Sequence, residues 1–230
     1  NPPDGSAARG DSRGMRTAFP ESRSPLVLSA MGWESQLATN HFGHYALANL
    51  VWPLLADGGA RVVALSSTGH KLSDIRWDDP HFTTDPYDEW VAYGQAKSAN
   101  SLFAVQLDAL GKDVGVRSFS VHPGGIMTEL QRHMPKEDLL ERGWIDADGN
   151  PNPLFKTPEG GASTAVWAAT SPLLDRLGGV YCEDCNVASP TDPESDFARF
   201  MGVNDHAVNP QSAERLWAMT AEATGINTFG

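Results

Sequence analysis

Apolar positions recur at helical spacing between residues 33 and 56: Trp33, Leu37, Tyr45, Leu50, Val51, Leu54 and Leu55. That period predicts a long helix, stopped by Asp57-Gly58-Gly59. Asn40 and Gly43 stand inside it and are poor helix-interior residues, so a break or kink is expected beside Asn40. The period then changes. Arg61–Leu65 is a short β-branched run with apolar residues on both faces, the pattern of a buried parallel strand, and it ends on Ser66-Ser67-Thr68-Gly69. Residues 71–89 read as loop, rich in Asp, Pro and aromatics. A second helix is predicted over Glu89–Leu110, closed by Gly111, and a second strand over Val116–Val121, running into His122-Pro123-Gly124-Gly125. Further on we expect a polar helical segment over 127–143, a helix opened by Thr157-Pro158-Glu159, a strand over 179–182 and a last helix over 211–222. Helices and strands alternating on short connections predict a parallel α/β sheet.

Residues 1–30 break this pattern, since twelve of the thirty are Pro, Gly or Ser and no period survives among them. They are expected to form an irregular arm ahead of a single domain over 31–230. The whole chain of 230 residues is long enough for a sizeable core. Its net charge of −12 argues against binding to a phosphate backbone, so no nucleic-acid partner is expected. No apolar run reaches the roughly 20 residues of a membrane span, and no secretory segment is seen, which points to a soluble, cytoplasmic protein. Cys182 and Cys185 make half a zinc ribbon without a second half, so no metal site is expected.

Four places carry candidate chemistry. Tyr93 and Lys97 are spaced i, i+4 and therefore share a helix face. A phenol needs about 3 units of pKa depression to act as a base at pH 7, roughly 4 kcal/mol, which one cation at about 4 Å supplies in an effective dielectric near 20. Ser66 and Ser67 end a strand, at the edge of a parallel sheet where ligands bind; a serine pair that merely terminates the strand fits equally well. His122-Pro123-Gly124-Gly125-Ile126-Met127-Thr128 follows the next strand end, either as a backbone approach to a flat ligand or as a plain turn with a capping Thr128. Asn40 is the fourth, at the expected kink.

Together these stretches resemble one family, the short-chain dehydrogenase/reductases. Thr39-Asn40-His41-Phe42-Gly43-His44-Tyr45, then Val62-Val63-Ala64-Leu65-Ser66-Ser67-Thr68-Gly69-His70, then Tyr93-Gly94-Gln95-Ala96-Lys97-Ser98-Ala99-Asn100, then His122-Pro123-Gly124 occur in the family's order and approximate spacing. They look closest to its retinol-dehydrogenase-like and WW-domain-oxidoreductase-like branch. The resemblance covers about residues 31–190. It implies a Rossmann-like doubly wound parallel sheet and hydride transfer between NAD or NADP and a carbonyl or alcohol carbon. By the same resemblance Tyr93 is the general acid/base, Lys97 lowers its pKa and holds the cofactor ribose, and Ser67 orients the substrate oxygen. Asn40 would hold the kinked helix whose backbone feeds a water to Lys97, and Pro123, Gly124, Ile126 and Thr128 would line the nicotinamide. The branch implies a small-molecule partner, a hydrophobic aldehyde, ketone or alcohol. It also implies a homo-oligomer built on the helices that carry Asn40 and Tyr93.

One part of the family pattern is missing. No strand followed by Thr-Gly-x-x-x-Gly-x-Gly occurs in the chain, and neither does the residue that chooses NAD or NADP. The resemblance therefore implies an N-terminally truncated sheet lacking roughly 80–90 residues of nucleotide-binding half. The Arg61–Leu65 strand and its flanking helices would then show an uncovered face. A non-catalytic relative, a pseudoenzyme or interaction protein unable to hold dinucleotide, is the alternative reading. Trp77, Phe82, Trp90, Trp144 and Phe155 are expected either in a lipophilic substrate pocket or as ordinary anchors. The acidic residues Asp78, Asp79, Asp85, Asp88 and Glu89 are expected to make a solvated loop. His41 and His44 read as packing or hydrogen-bonding residues, and His133 and His206 as surface residues.

Overall fold

The structure, a computed structural model, describes residues 25–132 and 134–229, so most of the expected arm and His133 lie outside the described residues. At its centre β1 (Ala60–Leu65), β2 (Val116–His122) and β3 (Val180–Glu183) run parallel, and β4 (Asn186–Val187) returns antiparallel to β3. The sheet order is β1-β2-β3-β4. The expected strands are all present, while β4 is a two-residue return too short to leave a period in the sequence.

Alternation along the strands sorts the two faces. Phe119, Val121 and Cys182 point to one side and pack with Ala168 of α4 (Pro158–Thr170) and Leu174. The opposite side meets α2 (Glu89–Gly111), whose start is capped by Asp88 accepting from the backbone N–H of Trp90 and Val91 at 2.8 and 3.0 Å. With helices on both faces, this is the α/β architecture of a Rossmann-like doubly wound sheet. The register pairs Leu65 with Val121 and Val121 with Cys182, which aligns the carboxyl ends of the three parallel strands along one edge.

The helix expected from residue 33 begins with a turn at Ser35–Leu37, passes through a π-helical turn at Ala38–Phe42 and continues as α1 (Gly43–Gly58). The break expected at Asn40 is that π-helical turn, a local widening common at functional sites. The polar segment over 127–143 is less helical than its sequence predicts. It holds one 3₁₀ turn, Glu129–Gln131, and a short α3 (Lys136–Glu141), separated around Pro135. Proline disfavours helix at the residue before it, which divides the segment.

The last helix, α5 (Pro210–Thr224), starts at an Asn209 cap and ends on Gly225 in the left-handed region. It lies on α1 and α2: Trp217 stacks on Phe103 with ring centroids 5.9 Å apart and meets Tyr45 at 4.7 Å. The segment after it is tied down too, with Tyr45 OH donating to the Ile226 carbonyl at 2.8 Å, Thr228 bonded to Asn49, and Phe229 against Trp52. One face of α1 and α2 is thus covered by the chain's own C-terminal helix. The other edge of the sheet is different. Among the described residues no strand pairs with the outer edge of β1, and Leu65 together with Leu47, Leu50 and Leu54 of α1 is exposed, Leu54 by 80%.

In the 71–89 loop one expectation is decided and one is corrected. Trp77 packs into the core cluster of Ile75 and Leu102, and Phe82 is buried beneath the Arg76 guanidinium, so of the two roles open to them both are anchors. Asp79 is buried rather than solvated: its carboxylate accepts from the backbone of Thr83, Thr84 and Asp85 and from both threonine hydroxyls. Burial works against its charge, but those bonds outweigh it and hold the carboxyl well below its ordinary range.

Candidate active site

Ser67, Tyr93, Lys97 and Asn40 come from three separate elements and converge at the carboxyl end of β1. Ser67 caps the 3₁₀ turn Thr68–Leu72, its Oγ accepting from Gly69 N–H at 3.0 Å. Gly69 is required there by close approach, because a Cβ would stand 2.5 Å from Tyr93 Cε1. The tyrosine ring therefore lies against bare backbone, next to Ser67 Oγ, which would stand 3.4 Å from the same Cβ. One turn along α2, Lys97 Nζ donates to Asn40 Oδ1 at 2.9 Å and to the Leu65 carbonyl at 3.3 Å, and sits 5.5 Å from the Tyr93 ring centroid.

Asn40 is oriented by its own contacts. Its Nδ2 donates to the Gln36 carbonyl at 2.9 Å, which turns Oδ1 toward the lysine, and Gln36 is tied to α2 through the Glu89 carbonyl. The backbone carbonyl of Asn40 accepts from His44 Nδ1 at 2.6 Å. The link from Asn40 to Lys97 therefore runs through the side chain directly.

Burial shapes the charges. It holds Lys97 down at about 8 and pushes the Tyr93 phenol above its ordinary value, the nearby Ser67 hydroxyl opposing the latter. In the free chain, then, the neighbouring cation does not bring the phenol down as the i, i+4 spacing predicts; desolvation of the ring dominates.

Several supporting groups carry no obvious sequence motif. Asn100 Nδ2 donates to the Leu65 carbonyl at 2.9 Å, and Ser66 Oγ donates to the Lys97 carbonyl and accepts from Ser101 Oγ. These bonds clamp the end of β1 to α2. The available signal is spacing: Asn100 falls three residues after Lys97 and seven after Tyr93, on the same helix face. His70 is fully buried; its Nε2 accepts from Asn204 N–H at 3.1 Å, so Nδ1 carries the proton and donates to the Ser67 carbonyl at 2.7 Å. His206, expected at the surface, is half-buried and bonds Ser98 Oγ and the His70 carbonyl.

At the end of β2, Gly124 turns the chain with φ +94°, Ile126 packs its Cδ1 where a Cβ of Gly161 would be, and Thr128 N–H and Oγ1 both donate to Gln131 Oε1. These residues border the same carboxyl edge as Ser67, with Leu65 and Val121 paired side by side. Trp90, one turn before Tyr93, carries the Arg142 guanidinium 3.8 Å above its ring, and Arg142 also faces Trp144, which meets Phe155. Of the five aromatics considered, these three gather near the site.

A doubly wound α/β fold with a half-buried tyrosine–lysine pair at the strand ends defines the class of protein. No family model matches the chain. It is 43% identical over 199 residues to a Streptomyces lividans protein named "Probable oxidoreductase", matching 85% of this chain and 66% of the relative. It is 33% identical to the short-chain dehydrogenase/reductase prx1 of Penicillium roqueforti and 35% identical to the Bos taurus retinol dehydrogenase 12, spanning 59% and 58% of their lengths. A solved structure of an uncharacterised Mycobacterium paratuberculosis protein superposes with a TM-score of 0.62 at 27% identity, covering 91% of this chain and 65% of that one. The chain belongs to the short-chain dehydrogenase/reductase family. It spans about 58–66% of the length of these curated relatives.

Proposed function

We propose that the protein moves hydride between a nicotinamide dinucleotide, NAD or NADP, and the carbonyl or alcohol carbon of a small hydrophobic molecule, with Tyr93 as general acid/base. The observation that carries this is the grouping of Asn40 Oδ1 on Lys97 Nζ, Lys97 over the Tyr93 ring, and the Tyr93 ring with Ser67 Oγ around Gly69. When bound, the nicotinamide supplies or accepts the hydride. The described residues fit its ring and ribose: Lys97 presents an ammonium beside the phenol, and Gly124 has no side chain of its own, so a flat ring reaches its backbone once the flexible Lys156 side chain resting there moves aside. Among the described residues neither strand-end turn has the glycine pattern that cradles a pyrophosphate.

In the reductive direction Tyr93 donates its proton to the substrate oxygen as charge develops there, and Ser67 orients that oxygen by a second hydrogen bond. In the oxidative direction the same phenol oxygen takes the alcohol proton. Lys97 holds the ribose hydroxyls, and Asn40 fixes Lys97 in place. The retinol dehydrogenase named among the relatives and the aromatic group of Trp90, Trp144 and Phe155 both support a hydrophobic substrate.

The test is a titration of NADPH and NADH followed by nicotinamide fluorescence, with Tyr93→Phe beside the wild type. Cofactor affinity should hold within about twofold while turnover of a hydrophobic aldehyde falls by about 10²–10⁴. Undiminished turnover in Tyr93→Phe would refute the assignment. No binding of either cofactor at millimolar concentration is the behaviour of a non-catalytic relative.

A further inference from the structure

Lys156 lies across the face of Gly124. A Cβ built on Gly124 would meet Lys156 Cε at 2.9 Å, Cδ at 3.0 Å and Nζ at 3.1 Å. Backbone pairing brings the lysine there, since its N–H donates to the Gly125 carbonyl at 2.8 Å and Lys156 forms a parallel bridge with Ile126. The ammonium then closes on the Asp184 carboxylate, in the turn between β3 and β4. That turn is a two-residue hairpin loop: Glu183 pairs with Asn186, and Asp184 and Cys185 between them both take left-handed backbone angles, φ 47° and 55°, as such a loop requires. Phe155 completes the cover, its ring standing where a Cβ of Gly125 would be. The Lys156–Asp184 pair is also open to solvent, the two side chains 28% and 59% exposed, so salt screens it and little holds it shut.

We propose that Lys156 and Asp184 are further residues of the cofactor site and act as a latch on it. In the free chain the aliphatic stem of Lys156 occupies the Gly124 face, and a nicotinamide ring arriving there drives the lysine off the glycine and away from Asp184. This rests on the reading that the Pro123–Thr128 turn lines the nicotinamide. Neither residue lies in the Tyr93–Lys97 contact chain, so the latch governs occupancy of the site and leaves proton transfer alone.

The test uses reduced nicotinamide mononucleotide, which carries the ring, ribose and one phosphate and needs no pyrophosphate cradle. Binding is followed by its fluorescence with wild type, Lys156→Ala and Asp184→Asn, at low and at high salt. Lys156→Ala should tighten binding about two- to fivefold at low salt. Asp184→Asn, which frees the lysine without shortening it, should move the same way by less. The gap between wild type and Lys156→Ala should shrink as salt rises. In the wild type, saturation with the mononucleotide should also increase acetylation of the Lys156 amine, read by mass spectrometry. Weaker binding in Lys156→Ala with protection from acetylation would make Lys156 a ligand and overturn the latch; unchanged affinity and labelling would make the pair a surface contact and overturn it as well. Absence of binding in wild type and Lys156→Ala alike would remove the nicotinamide reading itself and the latch with it.

Discussion

Protonating His70 breaks one of the two bonds that fix it. Its Nε2 accepts from Asn204 N–H while its Nδ1–H donates to the carbonyl of Ser67, so the buried ring is neutral and in one tautomer. Burial, with the Ser67 bond opposing, lowers its pKa to about 4. The unfolded chain binds the proton near pH 6.5, so the stabilisation is complete above that pH and is lost as pH falls toward 4. With those two values, going from pH 7 to pH 5 removes about 1.8 kcal/mol through His70 alone. His122 is lowered to about 4 and His41 to about 3, both chiefly by burial. The three together remove about 5 kcal/mol by pH 5, a large share of the 5–15 kcal/mol of a typical domain, so unfolding should set in between about pH 5 and 4. Urea melts followed by tryptophan fluorescence at pH 7 and pH 5 measure the drop directly. In His70→Gln, which cannot titrate, the drop should shrink by about 1.8 kcal/mol. A drop equal to that of the wild type, within about 0.5 kcal/mol, would refute the assignment of a neutral buried His70.

Gly178→Ala would place a Cβ 1.8 Å from Asp108 Oδ1 and 2.5 Å from an Arg117 guanidinium nitrogen, inside the pair that holds the start of β2 to α2. It should cost about 2–4 kcal/mol in urea melts, and a neutral result would show that the pair shifts freely. Trp217→Ala removes a ring packed on Tyr45, Phe103 and Phe229 and should cost about 3–5 kcal/mol.

The main elements are legible because each spans enough residues to show a period. Glu89–Gly111 runs for 23 residues, and β1 and β2 are bounded by glycine-containing turns. Asn40 is legible for the opposite reason: a residue that disfavours helix, placed mid-helix, marks the π-helical turn. What stays hidden is non-local. Asp79 looks like one of a run of solvated acids, yet loop closure brings five donors onto its carboxylate. His70 gives no pattern because its partners, Ser67 and Asn204, are 3 and 134 residues away. Lys156 gives none because its meeting with Asp184 depends on two loops reaching the same strand ends.

The charge state of the tyrosine–lysine pair decides which direction of reaction the free site is prepared for. Burial raises the Tyr93 phenol and lowers Lys97 to about 8, so both shifts oppose charge. A phenol held above its ordinary value is a ready proton donor at neutral pH and a poor base, which suits reduction of a carbonyl. Lys97 is the group that titrates in the working range, and as pH rises through about 8 it loses the cation that, on the proposed function, holds the ribose and supports the departing proton. The kcat/KM for carbonyl reduction, which reports the free enzyme, should therefore fall about tenfold per pH unit above about 8. Asn40→Ala removes the carboxamide oxygen that accepts from the ammonium and should move this limb down by about one unit, since a hydrogen bond to a charged group favours the charged form. Asn40→Asp should move it up, because a carboxylate at the same atom stabilises the cation. An alkaline limb that stays in place in both variants would show that the titrating group is not Lys97 and that the Asn40–Lys97 contact only supports the fold.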